Sequence, residues 1–238
     1  MITQTPRSAA GRVAIVTGAS RGLGLATARA LAERQWSLVV DARGGDALRS
    51  VAQELSGSTV VEAIPGDVAD PAHRERLVAA AAAMGGIDLL MNNASMLGPS
   101  PQPRLAEYPL GVLRRVYEVN VLAPLALVQL ALPHLRTRRG VILNVTSDAA
   151  VEGYEGWGGY GSSKAALEQL SNILGAEEPA VSVVWFDPGD MNTALHQEAF
   201  PGEDISDRPP PEASVPSLLA LLDGAAGRHR VRDLVDSR

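Results

Sequence analysis

Short apolar runs alternate along the chain with longer helix-like segments, and this alternation restricts the fold more than any other feature. The runs are nearly continuous in Val, Ile and Leu, as is typical of strands covered on both faces. The predicted strands are Arg12–Thr17, Ser37–Ala42, Ser58–Ile64, Ile87–Met91, Val141–Thr146 and Val181–Phe186. The predicted helices are Leu23–Arg34, Asp46–Leu55, Pro71–Met84, Leu113–Leu135 and Tyr160–Leu174. Repeated strand–helix alternation predicts an α/β fold, a doubly wound parallel sheet of six to seven strands with helices on both faces.

The order of these segments predicts a single domain. Residues 1–11 are polar and are predicted to be a flexible N-terminal segment. Residues 12–238 are predicted to form one domain, because no linker-like stretch divides the chain before Pro188. Residues 201–216 are rich in proline and acid, which fits either an ordered surface excursion or a mobile flap. We expect 190–216 to be the substrate loop.

Composition excludes several classes of function. The 238 residues include no cysteine, so disulfides, thiolate catalysis and cysteine metal sites are ruled out. The net charge of −6 gives no indication of a nucleic-acid partner. The longest apolar run, Val119–Leu135, is broken by prolines and polar residues, so we interpret it as a buried helix and expect no membrane partner and a cytoplasmic location. No metal is expected, because ligand spacing is lacking among His73, His134, His196 and His229.

A glycine-rich turn follows the first predicted strand directly. The segment Thr17–Gly24 reads T-G-A-S-R-G-L-G and leads into an alanine-rich helix. A dinucleotide pyrophosphate has to approach both the backbone and the helix N-terminus closely, and Gly18, Gly22 and Gly24 permit this. A tight strand–helix turn without a ligand is the alternative. The strand before the turn and the helix after it favour a Rossmann-type nucleotide site.

A phenol and an ammonium group lie four residues apart, at Tyr160 and Lys164. On a helix these side chains share one face, and a nearby cation lowers the pKa of a phenol towards the range where it can exchange protons. Ser147 directly follows a predicted strand, which places its hydroxyl at the sheet edge where ligands of this architecture bind. The structural alternatives are an exposed helix face and a serine that caps the strand end. Together the three residues predict a catalytic site.

A serine at a strand end followed by Y-x-x-x-K resembles the active-site pattern of the short-chain dehydrogenase/reductase family, and the T-G-x-x-x-G-x-G turn resembles that family's nucleotide signature. The resemblance extends roughly from Arg12 to Thr193. Asn92–Ser95 is similar to the family's N-N-A-G, with Ser95 in place of glycine, and Pro188–Thr193 is similar to its P-G-x-x-x-T. The resemblance implies that a nicotinamide nucleotide is bound by Gly18, Ser20, Arg21, Gly22, Leu23, Gly24, Arg43, Asp67, Val68, Asn93, Ala94, Tyr160, Lys164, Pro188, Gly189 and Thr193.

Some of these positions have a plain structural alternative. Asp67 falls where the family contacts adenine, but it could equally cap a turn near Asp70. Asp190 and Met191 could be loop residues without function. After Gly224 the family's usual final strand and its G-G ending are missing, although 227–238 could supply a last short strand.

The end of the second predicted strand decides which nucleotide is preferred. A carboxylate there accepts hydrogen bonds from a ribose 2′-hydroxyl and favours NAD, whereas an arginine pairs with a 2′-phosphate. Aligned on the resemblance, the NAD-selecting acid would fall on Ala42, and Asp41 lies one place early. Arg43 and Arg21 fall on the two positions that are usually basic in NADP-preferring members. We therefore expect NADP(H) rather than NAD(H).

Asn120 is the fourth catalytic residue that the resemblance implies, although a buried asparagine can also be a satisfied core amide. Pro124 has no N–H, so the Asn120 carbonyl loses its usual helical partner. That carbonyl could hold a water beside Lys164 and so form a proton path, which is how the family uses its asparagine.

These observations predict an oxidoreductase that transfers hydride between nicotinamide and a small carbonyl or alcohol substrate. The alternatives are a non-catalytic dinucleotide sensor or scaffold and an epimerase or lyase on the same fold. Substrate walls are expected from Met96–Gln102, from Val151–Gly159 and from Met191–Pro211, and their aromatic residues suggest an apolar or ring-bearing substrate. By the resemblance we also expect a homo-oligomer, a dimer rather than a tetramer.

Overall fold

The computed structural model describes residues 11–223 and 225–231. Except for Gly11, the predicted N-terminal segment lies outside the described residues. So does the part of the predicted final strand beyond Val231.

Seven parallel strands form one sheet. They are β1 Val13–Val16, β2 Ser37–Ala42, β3 Val61–Pro65, β4 Leu89–Asn92, β5 Val141–Val145, β6 Ser182–Asp187 and β7 Gly227–Arg230. Their order is β3-β2-β1-β4-β5-β6-β7, and every neighbouring pair is parallel. The chain winds outward in opposite directions from β1 and β4, which opens a crevice at their carboxyl ends. The predicted doubly wound sheet is confirmed.

Helices cover both faces of the sheet. They are α1 Gly22–Glu33, α2 Gly45–Leu55, α3 Pro71–Ala83, α4 Leu110–Tyr117, α5 Ala123–Arg138, α6 Gly158–Glu177, α7 Ala194–Ala199 and α8 Val215–Ala220. The predicted helix Leu113–Leu135 begins three residues earlier, and a π-helical segment at Glu118–Leu122 interrupts it. The interruption agrees with Pro124, which cannot donate the next hydrogen bond of a regular α-helix.

Along the buried strands, successive side chains pack alternately into two apolar layers, one on each face of the sheet. On β1, Ala14 and Val16 pack into the layer under α1, α2 and α8, whereas Val13 and Ile15 pack into the layer under α3 and α5. All four side chains are fully buried. Burial on both faces explains why the strands are continuous apolar runs.

The seventh strand is polar, so the hydrophobic pattern of the sequence indicates it only weakly. β7 pairs with β6 in parallel from Val184 opposite Gly227 to Asp187 opposite Arg230. The last short strand that the sequence allowed within 227–238 is therefore present, at Gly227–Arg230. Its Arg228 and Arg230 are held by ion pairs with acidic side chains rather than by apolar packing.

The helical stretch Leu110–Arg138 is long and apolar enough to cross a membrane, with a mean hydropathy of 1.5 over its most apolar 18 residues. Half of that window is buried inside the protein. Leu127, Ala131 and Leu135 of α5 pack into the layer beneath the sheet. A buried core helix passes the same length and composition test.

Candidate active site

A cavity of about 900 Å³ lies at the carboxyl-terminal edge of the sheet. Small-molecule pockets span about 300–1,000 Å³, so this one is large enough for a sizeable ligand. The predicted site residues that line it are Gly18, Ser20, Arg21, Gly22, Leu23, Arg43, Asp67, Val68, Asn93, Ala94, Ser147, Tyr160, Lys164, Pro188, Gly189 and Thr193. The predicted site residues Gly24 and Asn120 do not line the cavity.

The glycine turn between β1 and α1 has the close-packed backbone that its sequence predicts. Gly18 and Gly22 have φ angles of +67° and +58°, a region that favours glycine. A Cβ on Gly18 would lie 3.0 Å from the Cα of Ala94. A side chain at Gly24 would be more crowded still, with its Cβ 2.5 Å from both the Gly18 carbonyl oxygen and Asn93 Nδ2.

Side chains from neighbouring strands hold this turn in place. Asn93 Nδ2 donates to the carbonyls of Thr17 (2.8 Å) and Gly18 (3.2 Å). In return, Thr17 Oγ1 accepts the N–H groups of Asn93 (2.9 Å) and Ala94 (3.0 Å). The asparagine side chain is thus committed to the backbone of the turn, which fixes the floor of the cavity.

Asp41, at the end of β2, turns its carboxylate into the protein. Oδ1 accepts the Gly18 N–H at 2.8 Å, and Oδ2 lies 3.0 Å from Nε2 of the buried His73. Both side chains are almost fully buried. The pair was not predicted, because a histidine 32 positions away gives no local signal. It leaves both carboxylate oxygens of Asp41 engaged.

Two arginines stand exposed at the rim of the cavity. Arg43 directly follows β2, and Arg21 precedes α1, with 66% of its side chain exposed. Arg21 Nη2 lies 3.8 Å from Glu198 on α7, a weak surface pair. Both guanidinium groups can therefore reorient towards an anion at low cost.

Asp67 was predicted either to contact the nucleotide or to cap a turn, and its position is compatible with both roles. It lines the cavity, and its Oδ1 also accepts the Ala69 N–H at 2.9 Å, closing the turn after β3. Its Oδ2 forms an ion pair with Arg115 of α4, which was not predicted. The N-cap of α3 is the neighbouring acid Asp70.

The loop after β6 forms the opposite wall. Gly189 has a φ of +71°, and its N–H donates to Asp187 Oδ1 at 3.0 Å. Thr193 caps α7, its Oγ1 accepting the His196 N–H at 3.3 Å. The predicted substrate loop therefore contains a short helix, α7, and four residues of this helix, Ala194, Leu195, His196 and Ala199, line the cavity together with Phe200, which follows it.

Ser147 lies at the end of β5, as predicted, and it makes two local hydrogen bonds. Its hydroxyl donates to Asp148 Oδ1 at 3.0 Å and accepts the Ala149 N–H at 3.2 Å. Asp148 Oδ2 accepts the Tyr154 hydroxyl at 3.0 Å. Asp148 was not predicted as a site residue, although it directly follows Ser147 in the sequence. The carboxylate competes with any substrate oxygen for the single Ser147 proton.

Tyr160 and Lys164 share one face of α6 and are both buried. Lys164 Nζ lies 5.5 Å from the centre of the Tyr160 ring and donates to the Val145 carbonyl at 2.8 Å. Burial lowers the pKa of Lys164 to about 8. The expectation that Lys164 makes Tyr160 unusually acidic is wrong here. Burial raises the pKa of Tyr160, and Asp187 and Asp148 raise it further, opposed by a hydrogen bond to Ser95.

Asn120 lies in the π-helical segment, fully buried, with its side chain committed to its neighbours. Its Nδ2 donates to the Met96 carbonyl and to Ser163 Oγ, both at 2.9 Å, and its Oδ1 accepts the Met96 N–H at 2.8 Å. The Ser95 hydroxyl lies 3.3 Å from the same Oδ1. The amide therefore fixes the segment after β4 against α6. These contacts involve the Asn120 side chain, whereas the predicted water-binding role belongs to its backbone carbonyl.

The part of the cavity beyond Tyr160 is aromatic. The Trp157 ring makes an edge contact with Tyr160, with ring centres 5.7 Å apart, and lies 5.9 Å from Phe200 and 6.4 Å from Tyr154. Leu97, Leu195 and Ala199 pack into the same cluster. The three predicted wall segments each contribute residues to this surface.

The residues present fit a nicotinamide dinucleotide. A ligand can approach the bare backbone at Gly18 and Gly22, the basic rim suits a phosphate, and Ser147, Tyr160 and Lys164 lie in the same cavity. Among the described residues there is no cluster of His, Asp or Glu that could hold a metal ion.

Comparison with known proteins places the chain in a family. Residues 12–204 match the model of the short chain dehydrogenase family. The chain is 36% identical over 194 residues to L-fucose dehydrogenase from Mus musculus, covering 79% of this chain and 68% of that one. It is 32% identical over 218 residues to a benzil reductase ((S)-benzoin forming) from Saccharomyces cerevisiae, covering 88% and 80%.

Solved structures of short-chain dehydrogenases superpose on this chain. An alcohol dehydrogenase from the archaeon Thermococcus sibiricus, complexed with 5-hydroxy-NADP, superposes with a TM-score of 0.83 at 29% identity, covering 92% of this chain and 95% of that one. A short chain dehydrogenase from Shigella flexneri, complexed with NADP, gives a TM-score of 0.86 at 25% identity, covering 94% and 98%. The chain belongs to the short-chain dehydrogenase/reductase family, and it is an oxidoreductase that acts on alcohol or carbonyl groups.

Proposed function

We propose that this protein is an NADP(H)-dependent reductase that converts a small carbonyl compound into an alcohol. The observation that carries the proposal is that Ser147, Tyr160 and Lys164 line the same cavity as the glycine turn after β1. A bound nicotinamide supplies or accepts the hydride. The chain has to bind the substrate oxygen and move one proton.

Two hydroxyls perform those tasks. Ser147 and Tyr160 donate hydrogen bonds to the substrate oxygen and stabilise the negative charge that develops on it. To do so, Ser147 turns its proton away from Asp148. Tyr160 then gives its proton to that oxygen. Because burial raises the pKa of Tyr160, the phenol is protonated near neutral pH and has a proton to donate.

Lys164 and Asn120 support the proton donor. Lys164, whose pKa is lowered to about 8, still provides a cation at neutral pH and binds the nucleotide ribose beside Tyr160. Because Pro124 has no N–H, the Asn120 carbonyl can hold a water that leads protons back towards Lys164.

The preference for NADP(H) is supported by the geometry of Asp41. Its carboxylate is occupied by Gly18 and His73 and is buried, so it is poorly placed to accept hydrogen bonds from a ribose 2′-hydroxyl. Arg43 and Arg21 at the rim can pair with a 2′-phosphate. The solved neighbours that hold NADP nucleotides support the same proposal.

Replacing Arg43 tests this preference. We expect Arg43→Ala to raise the KM for NADPH about 10- to 100-fold, because a charged hydrogen bond to phosphate contributes about 1.5–3 kcal/mol. The KM for NADH is expected to change by less than about threefold. Arg49→Ala, an exposed arginine of α2 outside the cavity, is the matched control. Equal losses for both nucleotides would refute the assignment.

The aromatic cluster supports an apolar or ring-bearing substrate. The rings of Tyr154, Trp157 and Phe200 offer an apolar surface beside the proton donor. The benzil reductase relative, named for a ring-bearing substrate, is consistent with this.

The experiment is a panel of aryl and alkyl ketones and aldehydes, mixed with the protein and either NADPH or NADH, with nucleotide absorbance followed over time. A reductase consumes many equivalents of NADPH. Nucleotide binding without consumption would support a sensor or scaffold, and product formation without net consumption would support an epimerase or lyase. The dimer and the cytoplasmic location remain predictions.

A further inference from the structure

A group of charged side chains lies at the cavity wall, where the ends of β5, β6 and β7 meet α6, and one member of the group, Asp187, lines the cavity. Its members are Glu168, Asp187, Arg228 and Arg230, which we name the rear clamp. Their side chains are 12%, 7%, 22% and 16% exposed, so the charges are largely withdrawn from water. Two acids face two arginines, which balances the charge.

Arg228 is the centre of the rear clamp. Its Nε lies 3.0 Å from both carboxylate oxygens of Glu168, and its Nη2 lies 3.7 Å from Asp187 Oδ2. The same Nη2 donates to the backbone carbonyl of Ser147 at 3.3 Å. One guanidinium group therefore joins three elements of the fold and contacts the backbone of a catalytic residue.

Glu168 links the rear clamp to the helix that carries the proton donor. Tyr160, Lys164 and Glu168 follow one another at intervals of four residues, so they share a face of α6. Glu168 Oε1 also accepts the hydroxyl of Thr146 at 2.7 Å, directly before Ser147. The strand end with one catalytic hydroxyl is thus tied to the helix face with the other.

Asp187 extends the rear clamp to the nucleotide side. Its Oδ1 accepts the Gly189 N–H at 3.0 Å, and its Oδ2 lies 3.7 Å from Arg230 Nε. The turn after β6 is therefore held by the same group of charges that holds the end of β5.

We propose that Arg228 is a positioning residue, which from β7 fixes the backbone of Ser147 relative to the α6 face that carries Tyr160 and Lys164. The proposal rests on the proposed function, because it assigns Arg228 a part in placing Ser147. Arg228 does not line the cavity, so it acts through Ser147 rather than on the substrate. Displacement by about 1 Å at such a site can cost about 100-fold in rate.

A double-mutant cycle on kcat tests the proposal. Arg228→Met is expected to lower kcat about tenfold in the otherwise wild-type protein, while the Kd for NADPH, measured by nucleotide fluorescence, changes by less than about threefold. In a Ser147→Ala background the same substitution is expected to change kcat by less than twofold, because the group that Arg228 positions is already gone. Arg228→Lys is expected to recover part of the lost kcat.

Controls separate positioning from loss of stability. His229→Ala changes the next residue of β7, whose ring lies against the Ala226 carbonyl and outside the rear clamp, and it is expected to leave kcat unchanged. Arg228→Met leaves Glu168 unpaired and is expected to lower Tm, whereas adding Glu168→Gln restores most of the lost Tm but not kcat. Recovery of kcat together with Tm would show that Arg228 only balances the charge of Glu168, and this would overturn the proposal.

The other outcomes are also decisive. An equal loss of kcat in both serine backgrounds would show that Arg228 does not act through Ser147. No turnover by the wild-type protein across the carbonyl panel would refute the proposed function, and this proposal with it. If the wild-type protein turns over and the losses of kcat from Arg228→Met and Ser147→Ala are additive, only the role of Arg228 is refuted.

Discussion

Ser95 replaces the glycine of the N-N-A-G pattern, and its hydroxyl lies between the side chains of Asn120 and Tyr160. It is 3.3 Å from Asn120 Oδ1 and hydrogen-bonds to the Tyr160 phenol, an interaction that lowers the pKa of Tyr160. The sequence indicated only a departure from the family pattern. A hydroxyl at this position opposes the effect of burial on the proton donor.

Removing that hydroxyl is expected to shift the pH dependence of the two reaction directions unequally. In Ser95→Ala the pKa of Tyr160 rises further, so alcohol oxidation, which needs the phenolate, slows about five- to tenfold at alkaline pH for a hydrogen bond of about 1–1.5 kcal/mol. Carbonyl reduction near pH 7 is expected to change by less than twofold, because the phenol is already protonated. Rate–pH profiles in both directions measure this, and Ser95→Thr is the control that keeps the hydroxyl. Equal slowing of both directions would contradict the account.

The sequence predicted which residues belong to the candidate site where this depends on local spacing. Ser147, Tyr160 and Lys164 follow from a strand end and one helix face, and the structure places all three in one cavity. The direction of the Tyr160 pKa was not predictable in this way. It depends on desolvation and on Asp187, which belongs to a distant strand.

At the scale of elements, the β1–α1 unit is fixed by close backbone packing. Gly24 lies in the first turn of α1, against the Gly18 carbonyl and the Asn93 side chain. Strand and helix are therefore joined at a distance that only glycine permits. This explains the third glycine of the motif, which contacts the turn rather than the cavity.

Gly24→Ala is expected to destabilise this unit, because its Cβ would lie 2.5 Å from a backbone oxygen. Overpacking of this kind costs about 1–3 kcal/mol, and each kcal/mol lowers Tm by about 2–4 °C in a domain of this size. Nucleotide affinity is expected to fall as well, since the turn shifts. Gly57→Ala, with open space around its Cβ, is expected to stay within about 0.5 kcal/mol of wild type. Thermal melts with and without NADPH measure both effects, and matching melts for the two variants would show that the packing argument fails.

Periodicity predicted most of the elements but not their irregular parts. The π-helical segment was not predicted, although Pro124 removes a hydrogen bond that a regular helix would need there. The strand β7 was only weakly indicated, because its partly buried arginines are held by ion pairs rather than by apolar packing. Tertiary contacts decide both features, so local sequence patterns indicate them weakly.

At the scale of the whole molecule, the cavity is assembled from segments far apart in sequence. The parallel order β3-β2-β1-β4-β5-β6-β7 brings the carboxyl ends of six strands, β1 to β6, to the edge where the cavity lies. The pairs Asp41–His73 and Arg228–Glu168 join segments 32 and 60 positions apart. The sequence alone predicted the fold class and the position of the site, but not these long-range contacts.

Tyr160→Phe tests the proposal that Tyr160 donates the proton in a nucleotide-dependent reduction. The variant keeps the ring and loses only the hydroxyl. We expect a Kd for NADPH within about threefold of wild type and a kcat lower by about 10²–10⁴-fold. Tyr154→Phe, which removes another phenol from the same cavity, is expected to lose less than about tenfold. Turnover by Tyr160→Phe at the wild-type rate would contradict the account.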